Sequence, residues 1–278
     1  MKLGDLEFHI VSDGHLLLDG GAMFGIVPRP LWEKKIPPDS RNRIKLGLNC
    51  LLIHADGKRI LVETGAGGKM DAKQKDIYGI DGPRLADNLR EYGVAPEDVD
   101  YVVNTHLHFD HCGGNTRLEN DKIVPVFPNA RYVSRRGEYD AATHPNERTR
   151  ATYFLENYDA LRETNQLLLI EEDRELVPGV ELICVPGHTA DMMCVKLTGG
   201  GKTAFFLADL LPTTAHIRLA WTMGYDLFPL IVIENKRKWI PQIARGEWIA
   251  LFDHDADTPA AYFRERDGNY EAEPVRID

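Results

Sequence analysis

The amino-acid sequence predicts a mixed fold, α/β or α+β, on three observations. Short apolar runs rich in β-branched residues recur along the chain, each bounded by Gly, Pro, Asp or Asn, which is typical of strands. Segments with apolar residues at helical spacing lie between these runs. No linker, low-complexity tract or block of charge divides the 278 residues. Strands interleaved with helices indicate an α/β or α+β architecture, and a chain of this length allows one or two domains.

The predicted strands alternate with turn-forming residues from the first residues to the last quarter of the chain. In chain order, they span residues 6–11, 49–53, 59–62, 101–103, 180–185, 192–197, 203–207 and 248–252. Between the first two lies the segment from Gly20 to Gly47, which carries four prolines. We predict that this segment is irregular, and it is too long to be an idle connection.

Three helices are predicted between these strands. Leu85 and Leu89 recur at helical spacing within residues 81–93, where Asp81 would cap the helix and Gly93 would end it. A second helix is predicted over residues 153–162. A third surrounds residues 240–243, where Pro241 would start or kink the helix.

Composition narrows the class of protein and its partners. The net charge of −10 argues against duplex nucleic acid, which would require a basic face. The start of the chain has no apolar core of a signal peptide, and no apolar run is long enough to span a membrane. The four cysteines lack C-x-x-C spacing, so we expect reduced thiols and a cytoplasmic location.

The segment His106-Leu107-His108-Phe109-Asp110-His111 is the main functional signal. Three imidazoles and a carboxylate crowd into six positions. His106, His108 and Asp110 alternate, so on extended backbone they project to one side, whereas His111 breaks the alternation and suits a turn around two ions. Imidazole suits zinc and other first-row metals, and the carboxylate is the harder, anionic ligand. This segment therefore predicts a metal site.

Three later residues extend this site, and each of them follows an apolar strand. His188 stands in Pro186-Gly187-His188-Thr189, where Pro and Gly allow the sharp turn from which a ligand can emerge. Asp209 follows residues 203–208, and a buried unpaired carboxylate there would be costly unless it bound a cation. His254 follows residues 248–252. Two units in which a strand leads into histidine, one in each half, predict a site at their junction.

These motifs, in this order, resemble the metallo-β-lactamase superfamily over nearly the whole chain. The segment Leu61-Val62-Glu63-Thr64-Gly65 resembles its first motif. The resemblance implies an αββα sandwich of four layers, as one domain over residues 1–278 built of two similar halves. It also implies two metal sites, the first held by His106, His108 and His188, the second by Asp110, His111 and His254, with Asp209 bridging both.

The resemblance also implies residues that support the metal ligands. Glu63 stands where the family usually has Asp, and that acid supports a ligating histidine without touching the metal. Glu can do the same with its extra methylene. Thr105 and Thr189 are further candidates for this supporting role, with turn stabilisation as the alternative. Cys112 follows His111 directly, and we interpret it as a buried thiol.

Two divalent ions would supply the chemistry. Zinc is expected, with iron, cobalt or manganese as alternatives that share such ligands. A water shared by two ions, with its pKa near neutrality, would attack a carbonyl carbon. Asp209 and Asp110 would be the catalytic carboxylates, and Asp110 would carry a proton to the leaving oxygen. No Ser or Cys nucleophile is required.

Within the superfamily, the chain resembles the branch of acyl-homoserine-lactone lactonases and organophosphorus-hydrolase-like enzymes. The segments that carry this resemblance are residues 19–25, 108–114 and 208–214. It implies a lactonase of the quorum-quenching type, acting on a small lactone or ester, with neutral organophosphate triesters as a side activity. The alternatives are an organophosphate triesterase, a thioester or other ester hydrolase, a redox di-iron protein and a non-catalytic metal-binding protein.

Two apolar segments are predicted to line the substrate pocket. Residues 23–32 and 220–223 are strongly apolar, and we interpret them as a wall that takes an acyl chain or aromatic group. The alternative is ordinary core or a dimer interface, and a homodimer is expected. The predicted pocket residues are Met23, Phe24, Trp32, His216, Trp221, Met223 and Tyr225. Tyr225 is included because related lactonases place a Tyr near the bridging Asp, and here Leu210 follows it.

Overall fold

The computed structural model describes residues 1–277, and its strands fall into two large sheets and one small ribbon. Among these residues the strands are β1 (Lys2–Leu3), β2 (Leu6–Asp19), β3 (Arg43–Ala55), β4 (Lys58–Val62), β5 (Tyr101–Val103), β6 (Thr116–Glu119), β7 (Lys122–Pro125), β8 (Arg131–Arg135), β9 (Leu167–Ile170), β10 (Arg174–Val177), β11 (Val180–Cys184), β12 (Met193–Gly199), β13 (Lys202–Phe206), β14 (Ile249–Leu251), β15 (Ala260–Arg266) and β16 (Asn269–Pro274).

Most of the helices are short, and they lie between the strands or after them. The α-helices of the described chain are α1 (Gly20–Phe24), α2 (Arg29–Trp32), α3 (Ala72–Tyr78), α4 (Leu85–Glu91), α5 (Phe109–Cys112), α6 (Arg136–Thr143), α7 (Asp159–Glu163) and α8 (Pro229–Arg245), and 3-10 turns span Pro96–Asp98, Gly113–Asn115, Leu155–Asn157, Ala208–Leu210 and Thr214–Ile217. None of the helices in residues 1–277 combines the length and the apolar character needed to cross a membrane.

Each half of the chain forms one seven-stranded sheet. The first sheet has the order β1-β2-β3-β4-β5-β8-β9, and the second runs from β10 to β16 in sequence order. In the first sheet, β4, β5, β8 and β9 are parallel neighbours. In the second, β13 and β14 are parallel, with Phe206 opposite Leu251, and α8 supplies the crossover between them. The carboxyl ends of β4 and β5, and those of β13 and β14, therefore meet at common edges.

Alternation along the strands explains the layered packing. On β4, Ile60 and Val62 pack in the core between the two sheets, whereas Leu61 faces the other way and packs with Leu85 and Leu89 of α4. On β13, Phe205 packs against Trp239 of α8, with ring centroids 4.9 Å apart. Helices thus cover the outer faces of two sheets that share an apolar core, and the predicted αββα sandwich is confirmed.

The segment 20–47 has more regular structure than its sequence predicted. β2 continues to Asp19 through a bulge between Ser12 and His15, and β3 begins at Arg43. The bulge contains Gly14, whose φ is +114° and whose added Cβ would collide with the carbonyl oxygen of Asp81. The prolines fall in and around α2, with Pro30 in its first turn. The prediction of an irregular segment is therefore wrong at both ends.

A buried ammonium group ties α8 to the loop that precedes it. Lys236 is fully buried, and its Nζ donates hydrogen bonds to the carbonyl oxygens of His216, Arg218 and Trp221 at 2.5, 2.7 and 2.9 Å. This arrangement satisfies three acceptors in a region with little water. It also fixes the loop of residues 216–221 against the helix.

We predict that Lys236→Met lowers the free energy of unfolding by about 2–4 kcal/mol, because buried carbonyl oxygens lose their donor. Urea unfolding measures the change. Lys238→Met is the matched control on the exposed side of α8, where we expect a loss below about 1 kcal/mol. Equal effects of the two substitutions would contradict this role of Lys236.

Candidate active site

The predicted metal ligands lie where strands of both sheets end. His106 follows β5, His188 follows β11, Asp209 follows β13 and His254 follows β14. Because β13 and β14 are parallel, Asp209 and His254 emerge at the same edge. The main chain also joins the two halves here, since the N–H of Met193 donates to the carbonyl of Thr105 at 3.0 Å.

One group of donor atoms is formed by three imidazoles and a carboxylate. His106 Nε2 lies 3.1 Å from His108 Nδ1, and His188 Nε2 lies 3.0 Å from the same atom. Asp209 Oδ2 is 3.0 Å from His188 Nε2 and 3.7 Å from His106 Nε2. All four side chains are buried. We call this set, His106, His108, His188 and Asp209, the first donor group.

A second group forms on the other side of Asp209. His111 Nε2 lies 3.2 Å from His254 Nε2, and Asp209 Oδ1 is 3.4 Å from the same His254 atom. Asp110 Oδ2 is 3.6 Å from His254 Nε2, and its Oδ1 is 3.9 Å from His111 Nε2. We call this set, Asp110, His111, Asp209 and His254, the second donor group. Asp209 therefore belongs to both groups.

The two groups fit divalent cations. Tetrahedral ligands held ~2.0–2.1 Å from an ion are about 3.3 Å apart, close to the separations of these donors. Asp209 Oδ1 is buried and has no hydrogen-bond partner among residues 1–277, which is costly for a carboxylate unless a cation is nearby. Imidazole nitrogens and carboxylate oxygens are the donors that zinc and similar metals prefer.

Burial and charge set the protonation of these groups. Burial holds the pKa of His106 and that of His108 well below the usual range, so both rings keep a nitrogen lone pair for a cation. Burial opposes the charged form of His188, but Asp209 and Asp226 raise its pKa to about 10. For Asp209, burial is outweighed by His188, His254 and His111, which hold its pKa well below its usual range. Neutral rings of His106 and His108 therefore lie beside a buried ion pair of His188 and Asp209.

The ring nitrogens that point away from the donor groups have partners of their own. His254 Nδ1 donates to the carbonyl oxygen of Gly47 at 2.9 Å, which leaves its Nε2 without a proton for the second donor group. His188 Nδ1 lies 3.0 Å from Asp226 Oδ1, and Asp226 Oδ2 accepts from the N–H of Met223 at 2.8 Å. Asp226 was not predicted from the sequence, where it is one acid among turn residues without motif spacing.

Glu63 and Thr105 lie together behind His106. Parallel pairing of β4 and β5 places Val62 opposite Val103, so the next residues of both strands stay close. Glu63 Oε1 accepts from the N–H of Thr105 at 3.1 Å and from its hydroxyl in a short hydrogen bond, and that hydroxyl is 3.0 Å from His106 Nδ1. Thr105 thus connects Glu63 to the imidazole of His106.

Thr189 contacts an acid that the sequence analysis missed. Glu138 of α6 is fully buried, and its Oε2 accepts from the hydroxyl of Thr189 at 2.6 Å. Its Oε1 accepts from the N–H of Leu107 and the hydroxyl of Tyr153, both at 2.9 Å. The ring of Tyr153 packs on His108 with centroids 4.9 Å apart. Glu138 therefore joins the loop of His106 and His108 to the loop of His188.

Two unusual backbone conformations help to aim the ligands. Gly187 has φ +140°, and an added Cβ would lie 2.6 Å from Cγ2 of Val232 on α8, so only Gly fits the turn into His188. Ala208, just before Asp209, has φ +46°, a conformation that costs free energy for a residue with a Cβ. Strain of this kind is common where a side chain must be placed for function.

A cavity of about 260 Å³ opens onto both donor groups. Of the predicted pocket residues, Met23, Met223 and Tyr225 line it. Its other lining residues include Leu18, Tyr78, Phe109, Arg148, Thr149, Ala151, Thr152 and Leu227, together with His108, Asp110, His188, Asp209 and His254. The sequence analysis missed Tyr78, Arg148 and Leu227, which belong to segments without a metal motif or a long apolar run.

The remaining predicted pocket residues lie behind this wall. Phe24 stacks between Trp32 and His216, with centroids 5.3 and 4.6 Å away, and Trp221 meets its edge at 5.7 Å. His216 is buried, its Nε2 donates to the carbonyl of Met23 at 2.9 Å, and its Nδ1 is 2.8 Å from the hydroxyl of Thr213. The structure thus places these four rings in a core cluster that supports Met23.

Comparison with known proteins gives a family match over most of the chain. The family described as "Metallo-beta-lactamase superfamily" matches residues 44–254. The crystal structure of "a probable metal-dependent hydrolase from Staphylococcus aureus" is similar with a TM-score of 0.91 and 32% sequence identity, covering 100% of this chain and 99% of that one. A dizinc quorum-quenching lactonase, AidC, has the same fold, with a TM-score of 0.83 at 21% identity over 100% and 97% of the two chains.

Curated relatives are N-acyl homoserine lactonases. One from Bacillus sp is 32% identical over 151 residues, which are 50% of this chain and 54% of the relative. The chain therefore spans about half the length of the first curated relatives that it matches. AiiB of Agrobacterium fabrum is 24% identical over 254 residues, 84% of this chain and 89% of that protein.

We predict that bound zinc raises the midpoint of thermal unfolding, because a cation that binds the folded donor groups shifts the equilibrium away from the unfolded chain. At a free zinc concentration ~1,000 times Kd the gain is about 4 kcal/mol, or roughly 8–16 °C for a chain of this size. Calorimetry with zinc and with a chelator measures the shift. His188→Ala should remove most of it, whereas His144→Ala, at an exposed histidine, should keep it. Identical midpoints of the wild type with zinc and with chelator would exclude the metal site.

Proposed function

Because the chain belongs to the metallo-beta-lactamase superfamily, we propose that it is a dinuclear metal-dependent hydrolase that opens lactones of the N-acyl homoserine type. The observation that carries this proposal is the cavity of about 260 Å³, where apolar walls meet two donor groups that share Asp209. The curated relatives named above are N-acyl homoserine lactonases, which supports this substrate class.

The two donor groups would hold the cations, with Asp209 between them. Two divalent cations bound there would lower the pKa of a water molecule towards neutrality and polarise a carbonyl oxygen. The chain itself orients and fixes the ligands. The carbonyl of Gly47 and the carboxylate of Asp226 hold the rings of His254 and His188, so little reorganisation is needed when substrate binds.

Two side chains of the cavity have the chemistry to act on the substrate. Asp110 lines the cavity, close to His254 and His111. As water forms a bond to the carbonyl carbon and the ring C–O bond breaks, the Asp110 carboxylate would take the proton that the water loses and pass it to the departing ring oxygen. Burial raises the pKa of the Tyr225 phenol, so this group stays protonated and donates a hydrogen bond to a substrate oxygen. Leu210, and not a Tyr, follows Asp209 in the sequence, so Tyr225 would supply this hydrogen-bond donor from another segment.

The cavity walls favour a neutral substrate with an apolar arm. Leu18, Met23, Phe109, Met223 and Leu227 line the space beside the donor groups. Burying an acyl chain against them removes apolar surface from water, which is favourable by about 0.8 kcal/mol per methylene. A lactone ring at the donor groups and its acyl chain along these side chains would use both parts of the site.

We also propose zinc as the metal, a homodimer and a cytoplasmic location. Imidazole-rich groups with one shared carboxylate are typical zinc ligands. Ile26 and Leu230 are 86% and 74% exposed, and exposed apolar side chains of this kind favour a contact between protein chains. The four cysteines of the described chain are unpaired thiols, which suits a reducing compartment.

We predict that the zinc-loaded protein turns over N-acyl homoserine lactones faster than phosphotriesters, thioesters or β-lactams. Initial rates on such a panel measure this preference. Faster cleavage of a phosphotriester or thioester would contradict the proposed substrate class.

Asp209→Asn keeps the shape of the side chain but removes the charge shared by both donor groups, and we predict that it lowers kcat by at least ~10²-fold. Normal turnover by Asp209→Asn would exclude the proposed bridging role of Asp209.

We predict that kcat/KM rises with acyl length by up to about fourfold per methylene, until the chain fills the cavity. Met23→Ala and Met223→Ala should flatten this trend and leave the metal content unchanged. Leu118→Ala, at an exposed apolar residue outside the cavity wall, is the control and should keep the slope. A rate that does not depend on acyl length would mean that the chain lies outside this cavity.

A further inference from the structure

The imidazole of His111 is flanked by two buried acids on the side away from the second donor group. Its Nε2 faces His254 and Asp209, so its Nδ1 is the nitrogen that points outward. Glu63 Oε1 lies 3.4 Å from this Nδ1, and Asp253 Oδ2 lies 3.5 Å from it. The two acids come from opposite halves of the chain, because Glu63 follows β4 and Asp253 follows β14.

The carboxylate oxygen of Asp253 nearest to His111 has no other hydrogen-bond donor in the described chain, whereas the oxygen of Glu63 nearest to that ring has two. Glu63 Oε1 already accepts from both the N–H and the hydroxyl of Thr105. Both carboxylate oxygens of Asp253 are buried and lack a hydrogen-bond partner within residues 1–277. A buried carboxylate without a donor is costly, so its position is explained if it interacts with a nearby N–H.

We propose that Asp253 is a positioning residue that, together with Glu63, orients His111 and thereby retains the cation of the second donor group. This inference rests on the proposed dinuclear centre. Asp253 Oδ2 is 3.5 Å from Nδ1 of His111 and 3.8 Å from Nε2 of His254, so it lies closer to the outer nitrogen of His111 than to this donor nitrogen. Asp110 and Asp209 are the acids that face Nε2 of His111. Acids that hold the outer nitrogen of a ligating imidazole fix its tautomer and make it a stronger donor.

The distances show how the two acids share the ring. Both contacts are longer than the 2.7–3.2 Å of a well-formed N–H···O hydrogen bond. The Nδ1–H group therefore lies between two carboxylates without a short hydrogen bond to either of them. The main chain prevents Asp253 from moving away, because the N–H groups of Asn49 and His254 donate to the carbonyls of Asp253 and Pro212 at 2.9 and 3.1 Å. The acid is therefore held beside the ring by both sheets.

This arrangement makes the two donor groups unequal. The outer nitrogen of His188, in the first group, has one acid beside it, Asp226. The outer nitrogen of His111 has two. Negative charge next to a ligating ring raises its affinity for a cation. We expect that Asp253 contributes to the retention of one metal equivalent and hardly affects the other.

The experiment measures zinc binding by the protein of residues 1–278. Asp253→Asn removes the charge but keeps the shape, and the affinity for one of two zinc equivalents should fall roughly 10–100-fold in a chelator titration. The other equivalent should change less than about threefold. Asp257→Asn, at an exposed acid in the same loop, is the matched control and should behave as the wild type. Unchanged affinity for both equivalents, or equal loss of both, would overturn the proposal.

The thermal midpoint of the apo protein separates positioning from a structural role. Asp253→Asn should leave this midpoint unchanged or raise it, because a buried carboxylate that accepts no close hydrogen bond from the described residues is replaced by a neutral amide, while the midpoint with zinc falls. A large decrease in the apo midpoint would mean that Asp253 supports the fold and not the metal. If Asp253→Asn does not fold, Asp253→Ser removes the same charge with less bulk and is judged by the same two measurements.

A double-variant cycle tests the shared target. If Glu63 and Asp253 act on the same N–H, the effects of Glu63→Gln and Asp253→Asn on zinc affinity will not add, whereas additive effects would contradict the shared action on His111. The zinc readouts do not depend on substrate. If Asp253→Asn loses one zinc equivalent selectively but the wild type has no lactonase activity, the role of Asp253 is supported and the proposed substrate is rejected. If the wild type is a lactonase but Asp253→Asn binds zinc as the wild type does, the substrate is supported and the role of Asp253 is rejected.

Discussion

The carboxylate of Asp209 is the group on which the rest of the site depends. Its two oxygens lie 3.0–3.7 Å from imidazole nitrogens of His188, His254, His111 and His106. These rings follow strands of both sheets. All of them can approach one carboxylate only if the two sheets pack so that these strand ends meet. Without a cation, this is a dense set of buried titratable groups, which is unfavourable by itself. The packing of the two sheets holds these groups together. Divalent cations would offset the unfavourable free energy of burying them, which favours cation binding.

The supports of the ligands come from segments far apart in the chain. Gly47 lies on β3, Glu63 follows β4, Glu138 lies on α6, and Asp226 precedes α8. Each accepts hydrogen bonds or faces a proton-bearing nitrogen at the site, and each is held by strand pairing or by other hydrogen bonds. Because these supports are themselves held in place, their contacts limit the motion of the rings. Rigid ligands are what preorganised electrostatic catalysis requires.

The sequence predicted the sandwich and the clustering of the seven proposed ligands better than it predicted the residues around them. The seven proposed ligands stand in compact motifs after apolar strands, and parallel pairing of β13 with β14 brings Asp209 and His254 together. Asp226 and Glu138 lack such a signal, because His188 and Thr189, which they contact at the site, are 38 and 51 residues away and meet them only through tertiary packing. The strand β9, with sequence Leu-Leu-Leu-Ile, has no alternation that separates it from a helix. Phe24 and Trp221 were assigned to the pocket by apolarity alone, which does not distinguish a cavity wall from the core behind it.

The two donor groups differ in the number of acids beside their histidine rings. This difference suggests how a site could bind cations tightly and still leave space for a substrate. A carboxylate that touched the cation directly would take a coordination position that a substrate needs. Asp253 and Glu63 lie behind His111, so they add negative charge without occupying space on the cavity side. Both are absent from the lining of the cavity, whereas His108 and His188 of the first donor group belong to it. In the proposed centre, these acids would help to retain a cation from the buried side, and the cavity side would stay open to a substrate.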